Sequence, residues 1–302
     1  MRLLLVRHGE TEANVAGRWQ GQGDSPLSAR GEQQARALAA RLRGERIDAV
    51  VSSDLGRAAR TAEALGRPVE RDPRWREIDV GAWEGLDRHQ VAERFPDEVK
   101  ALRAGRDDVR IGGGESWQQV RERVGAAFES LRARFGPDAH VLVVAHGGVL
   151  SELLARLLGL DRARPRCLGR LSNASITVLH CDDEGRAEIA VYNDAAHAES
   201  LAPWALERLE AGGTRLLRWL ANGDSVRDPS PAWVPTGGLA PGSLLDETFA
   251  PEQLALRVRE ALGHDVRLRP PPPGSTTHLL ALAKSGRATL VDYGRAAFAR
   301  DE

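Results

Sequence analysis

Residues 1–11 read MRLLLVRHGET, and residues 140–150 read HVLVVAHGGVL. Each stretch contains a short apolar run, at 3–6 and at 141–145, and each run leads into a histidine followed by glycine. Unbroken apolar runs of this length are typical of strands that are buried on both faces of a parallel sheet. The two stretches therefore predict two buried strands, each of which is followed closely by a His-Gly pair.

Helical patterns separate and follow these strands, as the crossovers of a parallel sheet require. A third apolar run, at 49–51, predicts another strand. The predicted helices span residues 28–43, 55–65, 115–134 and 149–158. Residues 174–192 predict a hairpin that turns at 183–185. Together these patterns predict an α/β fold in which helices cover both faces of a mostly parallel sheet.

Composition excludes several classes of protein. The chain has 302 residues, of which 42% are hydrophobic and 28% charged, and its formal net charge of -1 gives no overall attraction to nucleic acid or to a membrane surface. Its apolar runs are shorter than the roughly 18–20 residues of a membrane span, and shorter than the core of a signal peptide. The two cysteines, Cys167 and Cys181, lack the spacing of a metal site. We therefore expect a cytoplasmic protein without nucleic-acid or membrane partners.

The composition of the sequence changes after about residue 201, where a stretch rich in Pro and Gly without periodicity follows. We predict a first domain over 1–201, a linker over 202–213 and a small C-terminal α+β extension over 214–302. Within the extension the predicted elements are a helix at 251–262, a strand at 265–268 and a hairpin at 278–294. The extension carries no motif. A lid over a pocket, a surface that makes a homodimer and a separate ligand site are its three candidate roles.

The two histidine-ended strands point to a ligand site. In open α/β sheets, ligands bind at the carboxyl ends of the strands, so His8 and His146 are expected to lie together there. Two structural histidines or a metal site would produce the same pattern. Arg7 disfavours a bound metal ion because it is a permanent cation, whereas its guanidinium matches the oxygens of phosphate. This combination predicts phosphoryl chemistry in which one imidazole attacks phosphorus.

The stretch LVRHGET resembles the signature of the histidine phosphatase superfamily, which has the phosphoglycerate-mutase-like fold. The resemblance continues in the family's order over roughly residues 1–200. The matching segments are Asn14, QGQGDSPLSARGEQQA (20–35), VVSSDLGRAARTAE (50–63), REIDVGAWEG (76–85), GGGESWQQVRERV (112–124), VVAHGG (143–148) and VYNDAAH (191–197).

The resemblance implies a role for each matched residue. His8 is the implied nucleophile, which becomes phosphohistidine. The implied cradle of the phosphoryl oxygens consists of Arg7, Arg57 and His146, with Asn14 as a further polar contact. Gln20 and Gly21 match a loop that borders the substrate in the family. The resemblance implies no metal and no organic cofactor.

The reaction also needs an acid for the leaving alkoxide and a base for the attacking water. Glu77 matches the acid of the phosphatases in this family. Glu84 is the alternative acid, and if it is not the acid it is expected to orient the site. The glycolytic mutases of this family carry a longer insertion between the acid and the second histidine. The comparatively short stretch between Glu77 and His146 therefore favours a phosphatase that acts on a small phosphomonoester. A phosphoglycerate mutase and a non-catalytic module that binds a phosphorylated ligand are the two alternatives.

Overall fold

The computed structural model describes residues 1–160, 168–195, 197–198, 258, 262 and 266–269, together with the backbone of four strands in the C-terminal extension. The strands are β1 (Arg2–Arg7), β2 (Ala49–Ser52), β3 (Val69–Arg71), β4 (His140–Ala145), β5 (Ile176–Cys181), β6 (Ala187–Asp194), β7 (Thr214–Ala221), β8 (Leu244–Phe249), β9 (Thr277–Ala283) and β10 (Ala288–Arg295). They form one sheet in the order β3-β2-β4-β1-β5-β6-β10-β9-β7-β8.

The parallel part of the sheet positions the site. β1 and β4 are adjacent and parallel, and their register places Arg7 opposite Ala145. β2 lies parallel on the other side of β4, and β3 pairs parallel with β2. Because β1 and β4 end in register, the next residues in the chain, His8 and His146, emerge at the same edge of the sheet. This confirms the juxtaposition that the two apolar runs predict.

The helices flank this sheet, and the four predicted over residues 28–158 are present, with no end shifted by more than two residues. They are α2 (Ala29–Arg41), α3 (Gly56–Glu63), α6 (Trp117–Arg134) and α7 (Gly147–Leu158). Three short helices, α1 (Glu12–Val15), α4 (Arg88–Arg94) and α5 (Pro96–Arg103), also lie in the first 160 residues. Helix α7 begins two residues earlier than predicted because its first turn directly follows His146, which is its N-cap.

Alternation along the central strands divides the core into two layers. Leu3 and Leu5 of β1 face a cluster that includes Phe128 of α6 and Leu150 of α7. Leu4 and Val6 face the opposite cluster, which includes Leu38 of α2. Both faces of β1 and β4 are therefore buried, which explains why these strands read as unbroken apolar runs.

The sheet is mixed rather than wholly parallel. β5 pairs antiparallel with β1, and β6 pairs antiparallel with β5. The chain turns between them at the predicted position, where the amide of Gly185 donates to the Asp182 carbonyl and Gly185 has a φ of 80°. The α/β prediction is confirmed, with the hairpin as the antiparallel part of the first six strands.

The C-terminal extension adds strands to the same sheet. β10 pairs with β6, and β9 and β10 form the predicted antiparallel hairpin, whose turn lies outside the described residues. Strands β7 and β8, which pair parallel, were missed by the sequence analysis because β8 follows a Pro- and Gly-rich stretch without periodicity. In place of the predicted strand at 265–268 there is an isolated bridge between Leu268 and Ile189.

Two further predictions for the extension fall largely on residues that are not described. Of the helix predicted at 251–262, the structure describes Val258 and Leu262, which are both helical and buried in the main core cluster. The predicted linker at 202–213 lies outside the described residues. The domain boundary stays a prediction.

Close backbone packing at Gly31 gives a first test of the fold. A Cβ at Gly31 would lie 1.9 Å from the carbonyl oxygen of Glu10, two residues after His8. Although alanine favours a helix over glycine by about 1 kcal/mol, we expect Gly31→Ala to destabilise the protein by about 1–3 kcal/mol because the clash is with backbone. Chemical denaturation measures the change.

Gly136→Ala is the matched control for this substitution. A Cβ at Gly136 meets nothing within 4 Å, so this variant should keep the stability of the wild type. A Gly31→Ala variant as stable as Gly136→Ala would contradict the packing described between α2 and the loop after His8.

Candidate active site

His8 lies directly after β1 and is 3% exposed. Its backbone amide extends the ladder to β4 by donating to the Ala145 carbonyl at 2.9 Å. Its ring Nδ1 lies 2.7 Å from the carbonyl oxygen of Gly9. Because a carbonyl oxygen only accepts hydrogen bonds, Nδ1 carries the proton and the lone pair of the neutral ring is on Nε2. The backbone turn at Gly9 therefore leaves Nε2 as the ring nitrogen with the free lone pair.

His146 lies directly after β4, and its ring centroid is 5.1 Å from that of His8. Nδ1 of His146 accepts a hydrogen bond from Nε of Arg57 at 3.2 Å, and Nε2 lies 2.9 Å from the hydroxyl of Ser53. Since Arg57 can only donate, the proton of the neutral His146 ring is on Nε2. A direct bond from His146 to a phosphoryl oxygen therefore requires one of these two partners to be exchanged for the substrate.

The environment of both imidazoles favours their neutral form. Burial holds the pKa of His8 well below its usual range, and the positive charges of Arg57 and Arg7 act in the same direction. Burial likewise lowers the pKa of His146 well below its usual range, and Arg57 again contributes. A neutral imidazole has the free lone pair that nucleophilic attack requires. The burial that desolvates the site thus also keeps the nucleophile in its reactive form.

Arg57 lies in the first turn of α3 and is 2% exposed. Besides its bond to His146, it donates to the carbonyl oxygens of Gly23 at 2.8 Å and Gly21 at 2.7 Å. These bonds use three of its five N–H groups and leave two that have no partner in the described part of the chain. Burial lowers the pKa of Arg57, opposed chiefly by the carboxylate of Glu77, although a guanidinium stays protonated.

Arg7, the last residue of β1, contributes the second guanidinium. Its Nη1 donates to the Leu171 carbonyl at 2.6 Å, and the backbone of Gly147 passes close to its side chain. The loop that contains Leu171 also supports the nucleophile, because Asn173 Nδ2 donates to the carbonyl oxygen of His8 at 3.0 Å. Arg7 and Arg57 thus place two permanent positive charges beside His8.

The three remaining predicted contacts lie around this centre. Oδ1 of Asn14 accepts from the Thr11 amide and from Asn173 Nδ2, so the Asn14 amide is oriented with Oδ1 towards the protein. Gln20 accepts a hydrogen bond from the Thr11 hydroxyl. Gly21 contacts Arg57 through its carbonyl oxygen. Gln20 and Gly21 are thus engaged with protein groups, and their predicted contacts with substrate stay predictions.

The Glu77 carboxylate binds the start of α7, the helix that follows His146. Its Oε2 accepts from the Gly148 amide at 3.0 Å, in the first turn of α7 and two residues from His146. Its Oε1 accepts from the amide of Ile78 at 3.0 Å. Glu84 is exposed, and its carboxylate packs over Gly23. These positions favour Glu77 over Glu84 as the acid.

Sequence reasoning missed three polar residues that hold the site together. Ser53 contacts His146, Asn173 contacts His8 and Asn14, and the hydroxyl of Thr61 accepts from the Gly9 amide while it donates to the Arg57 carbonyl. Ser53 and Thr61 fall within the family-like segment 50–63, where a polar residue right after a buried strand is a usable signal. Asn173 has no local signal, since it lies 165 positions from His8.

This arrangement suits a phosphoryl group. Two guanidinium groups and preorganised N–H donors surround a neutral imidazole whose lone pair is free, which is the electrostatic environment that stabilises a transferring phosphoryl group. Among the residues that the structure describes, no group of three or more His, Cys, Asp or Glu side chains is placed to hold a metal ion. None of the helices in the described part of the chain is long and apolar enough to cross a membrane.

Comparison with known families agrees with this site. A model of the histidine phosphatase superfamily (branch 1) matches residues 3–195, which include every site residue described above. The chain belongs to the histidine phosphatase superfamily. The matched residues end at the close of β6, so the four strands of the extension lie outside the part shared with the histidine phosphatases.

Individual histidine phosphatase relatives differ in the activity named for them. Among curated proteins, the chain is 42% identical over 181 residues to the probable phosphoglycerate mutase GpmB of Salmonella choleraesuis, covering 59% of this chain and 83% of that one. Among solved structures, it resembles the mycobacterial glucosyl-3-phosphoglycerate phosphatase, with 37% identity, a TM-score of 0.58 and coverage of 64% and 98%. The α-ribazole phosphatase of Shigella flexneri is 31% identical, with a TM-score of 0.56 and coverage of 65% and 97%.

The buried neutral histidines predict a specific dependence of stability on pH. Their folded-state pKa values are lowered, whereas an unfolded chain takes up protons on histidine below about pH 6.5. As the pH falls from about 6.5 towards the lowered pKa values, the unfolded state gains protons that the folded state cannot take up. We therefore expect the free energy of unfolding to fall by up to about 1.4 kcal/mol per pH unit for each such histidine.

Urea denaturation between about pH 7.5 and 5 measures this dependence in the wild type and in His146→Gln. The variant should lose stability less steeply on acidification, whatever its absolute stability. His89→Gln, which replaces an exposed histidine of α4, should keep the slope of the wild type. Equal slopes for all three proteins would mean that His146 is not held neutral.

Proposed function

We propose that this histidine phosphatase hydrolyses small phosphomonoesters through a phosphohistidine intermediate on His8. The observation that carries the proposal is the hydrogen bond from His8 Nδ1 to the Gly9 carbonyl, which leaves Nε2 unprotonated beside Arg7 and Arg57. A structural histidine needs no free lone pair and no pair of buried guanidinium groups around it. These features suit attack on the phosphorus of an anionic phosphate ester.

In the first step, Nε2 of His8 attacks phosphorus while the bond from phosphorus to the ester oxygen breaks. Arg7 and the two remaining N–H groups of Arg57 bind the phosphoryl oxygens, whose charge spreads over the equatorial positions in the transition state. Protonated Glu77 gives its proton to the leaving alkoxide. The His8 ring becomes a phosphorylated imidazolium, and the Gly9 carbonyl stabilises the positive charge through the Nδ1–H bond.

In the second step, water attacks the phosphorus of phosphohistidine. Glu77, now a carboxylate, takes one proton from this water, and the bond between phosphorus and Nε2 breaks. The products are inorganic phosphate and the neutral His8 ring, with Glu77 protonated as at the start. Glu77 donates one proton in the first step and accepts one in the second, so the cycle needs no other acid or base.

A phosphoglycerate mutase is the second candidate, favoured by the 42% identity to GpmB. The two reactions share the first step and differ in whether water or a second hydroxyl of the substrate accepts the phosphoryl group. The solved relatives named as phosphatases for glucosyl-3-phosphoglycerate and α-ribazole phosphate support hydrolysis of a small metabolite. The binding-module alternative is disfavoured because His8, Arg7, Arg57, His146 and Glu77 are all present.

The cytoplasmic location and the homodimer stay predictions. Cysteine usage supports the cytoplasm, since Cys181 is a free, buried thiol. The lid role of the extension has no support from its described contacts. Arg267 reaches the Leu157 carbonyl, at the end of α7 opposite to His146.

The first test is phosphate release from p-nitrophenyl phosphate and 3-phosphoglycerate in the presence of EDTA, with the wild type and His8→Ala. We expect release by the wild type and a loss in the variant of at least the 10²–10⁴-fold typical of removing a catalytic group. Quenching with alkali, in which phosphohistidine is stable, followed by ³¹P NMR should reveal the intermediate, and acid treatment should destroy it. Interconversion of phosphoglycerate isomers without phosphate release would establish the mutase instead.

The acid role of Glu77 predicts a dependence on the leaving group. p-Nitrophenolate leaves without help from an acid, whereas phenolate is a stronger base and benefits from protonation. We expect Glu77→Gln to lower kcat/KM for phenyl phosphate by about 10²-fold or more, and for p-nitrophenyl phosphate by much less. The parameter kcat/KM is the right measure because it reports the step in which the ester oxygen leaves.

Glu84→Gln is the matched control for this experiment. If Glu77 is the acid, Glu84→Gln should leave the ratio of kcat/KM for the two esters unchanged. The reverse result, with the selective loss in Glu84→Gln, would assign the acid to Glu84.

A further inference from the structure

We propose that Arg123, together with Glu115, is a positioning residue that holds the Glu77 carboxylate in place for proton transfer. This inference rests on the proposed function, since it concerns the acid of that reaction. Arg123 and Glu115 are hydrogen-bonded to each other. Both act on the irregular backbone between Trp75 and Val80, which contains Glu77 and belongs to no strand or α-helix.

The Arg123 guanidinium binds this backbone on the N-terminal side of Glu77. Its Nη1 donates to the carbonyl oxygens of Arg74 at 2.8 Å and Arg76 at 2.9 Å, and its Nη2 lies 3.5 Å from the carbonyl oxygen of Glu77 itself. A single planar group thus contacts three carbonyls within four residues. Because a guanidinium is rigid, these contacts define the path of the chain into Glu77.

Glu115 extends the same clamp to the C-terminal side. Its carboxylate accepts from Nε and Nη2 of Arg123 at 3.0 and 2.8 Å, which is a two-point ion pair. The same carboxylate accepts from the Asp79 amide at 3.0 Å, and the Glu115 amide donates back to the Asp79 carbonyl at 2.8 Å. Glu77 is therefore held between two fixed points, three residues before it and two residues after it.

The clamp is well placed to control the acid. One of the two amides that bind the Glu77 carboxylate is that of Ile78, which lies inside the clamped segment. The other, that of Gly148, belongs to α7, and α7 packs against α6, the helix that contains Arg123. Misplacement of a catalytic group by about 1 Å can cost 10²-fold in rate. Loss of the clamp should therefore impair proton transfer more than it impairs phosphoryl binding.

A purely structural role for Arg123 makes a different prediction. Its ion pair with Glu115 is partly buried, with side-chain exposures of 19% and 22%, so its removal is expected to lower stability as well. General destabilisation reduces the amount of active enzyme, and it lowers turnover of every ester by the same factor. Loss of acid positioning instead acts selectively on esters with a poor leaving group.

The test compares kcat/KM for phenyl phosphate and p-nitrophenyl phosphate in Arg123→Met and Arg123→Lys. We expect Arg123→Met to lose about 10–10²-fold on phenyl phosphate and several-fold less on p-nitrophenyl phosphate. Arg123→Lys keeps the charge without the fork and should recover part of the selective loss. Glu115→Gln is an isosteric change that weakens the clamp without removing it. It should show a selective loss of kcat/KM on phenyl phosphate that is smaller than that of Arg123→Met.

Arg121→Met is the matched control on the same helix. Arg121 also makes ion pairs, with Asp107 at 2.9 Å and with the buried Glu152 at 3.3 Å, but it has no contact with the segment around Glu77. Its removal should lower the melting temperature without changing the ratio of the two kcat/KM values. If Arg123→Met changes this ratio no more than Arg121→Met does, the positioning role is wrong.

Double substitution with Glu77 separates this inference from the proposed function. In Glu77→Gln the acid is absent, so adding Arg123→Met should cause no further selective loss on phenyl phosphate, and the two effects should be non-additive. If Glu77→Gln alone shows no selectivity, the acid assignment fails. If Glu77→Gln is selective while Arg123→Met and Glu115→Gln are not, the acid assignment stands and the clamp is overturned.

Discussion

The parallel pairing of β1 with β4 is the constraint on which the site depends. It brings His8 and His146, which are far apart in sequence, to one edge of the sheet with their ring centroids 5.1 Å apart. The two strands are buried on both faces, so a slip in register would move apolar side chains out of both core layers. The energy of the whole core thus opposes any displacement of the nucleophile relative to its neighbour.

Burial at this edge has two consequences that act together. It lowers the pKa values of both histidines, so that the rings are neutral, and it places the guanidinium of Arg57 where water does not screen its charge. This guanidinium donates to the backbone carbonyl oxygens of Gly21 and Gly23, and two of its N–H groups are left to bind an anion. The bonds to these carbonyls fix the orientation of the guanidinium, which is the preorganisation that phosphoryl transfer needs.

Backbone amides also hold the Glu77 carboxylate, the proposed acid, and this gives the N-terminus of α7 a second role. The amide of Gly148 binds Glu77, while the preceding residue, Gly147, leaves room for the Arg7 side chain. One helix terminus thus organises a carboxylate and a cation around the same reaction centre. The extension joins this framework laterally, at β6 and at the far end of α7, so it adds to the sheet without contacting the site in the described residues.

Local patterns in the sequence determined the buried strands, the four long helices and the meeting of His8 with His146, because apolar periodicity and the register of parallel strands are enough to predict them. The matched motifs added Arg57 and Glu77. Only the tertiary structure decided that Nε2 of His8 is the free nitrogen, that Asn173 supports His8 and that Arg123 clamps the backbone around Glu77. These contacts join residues 46 to 165 positions apart, apart from the bond to Gly9. Hydrogen bonds across such distances depend on how the elements pack, and residue spacing along the chain does not encode that packing.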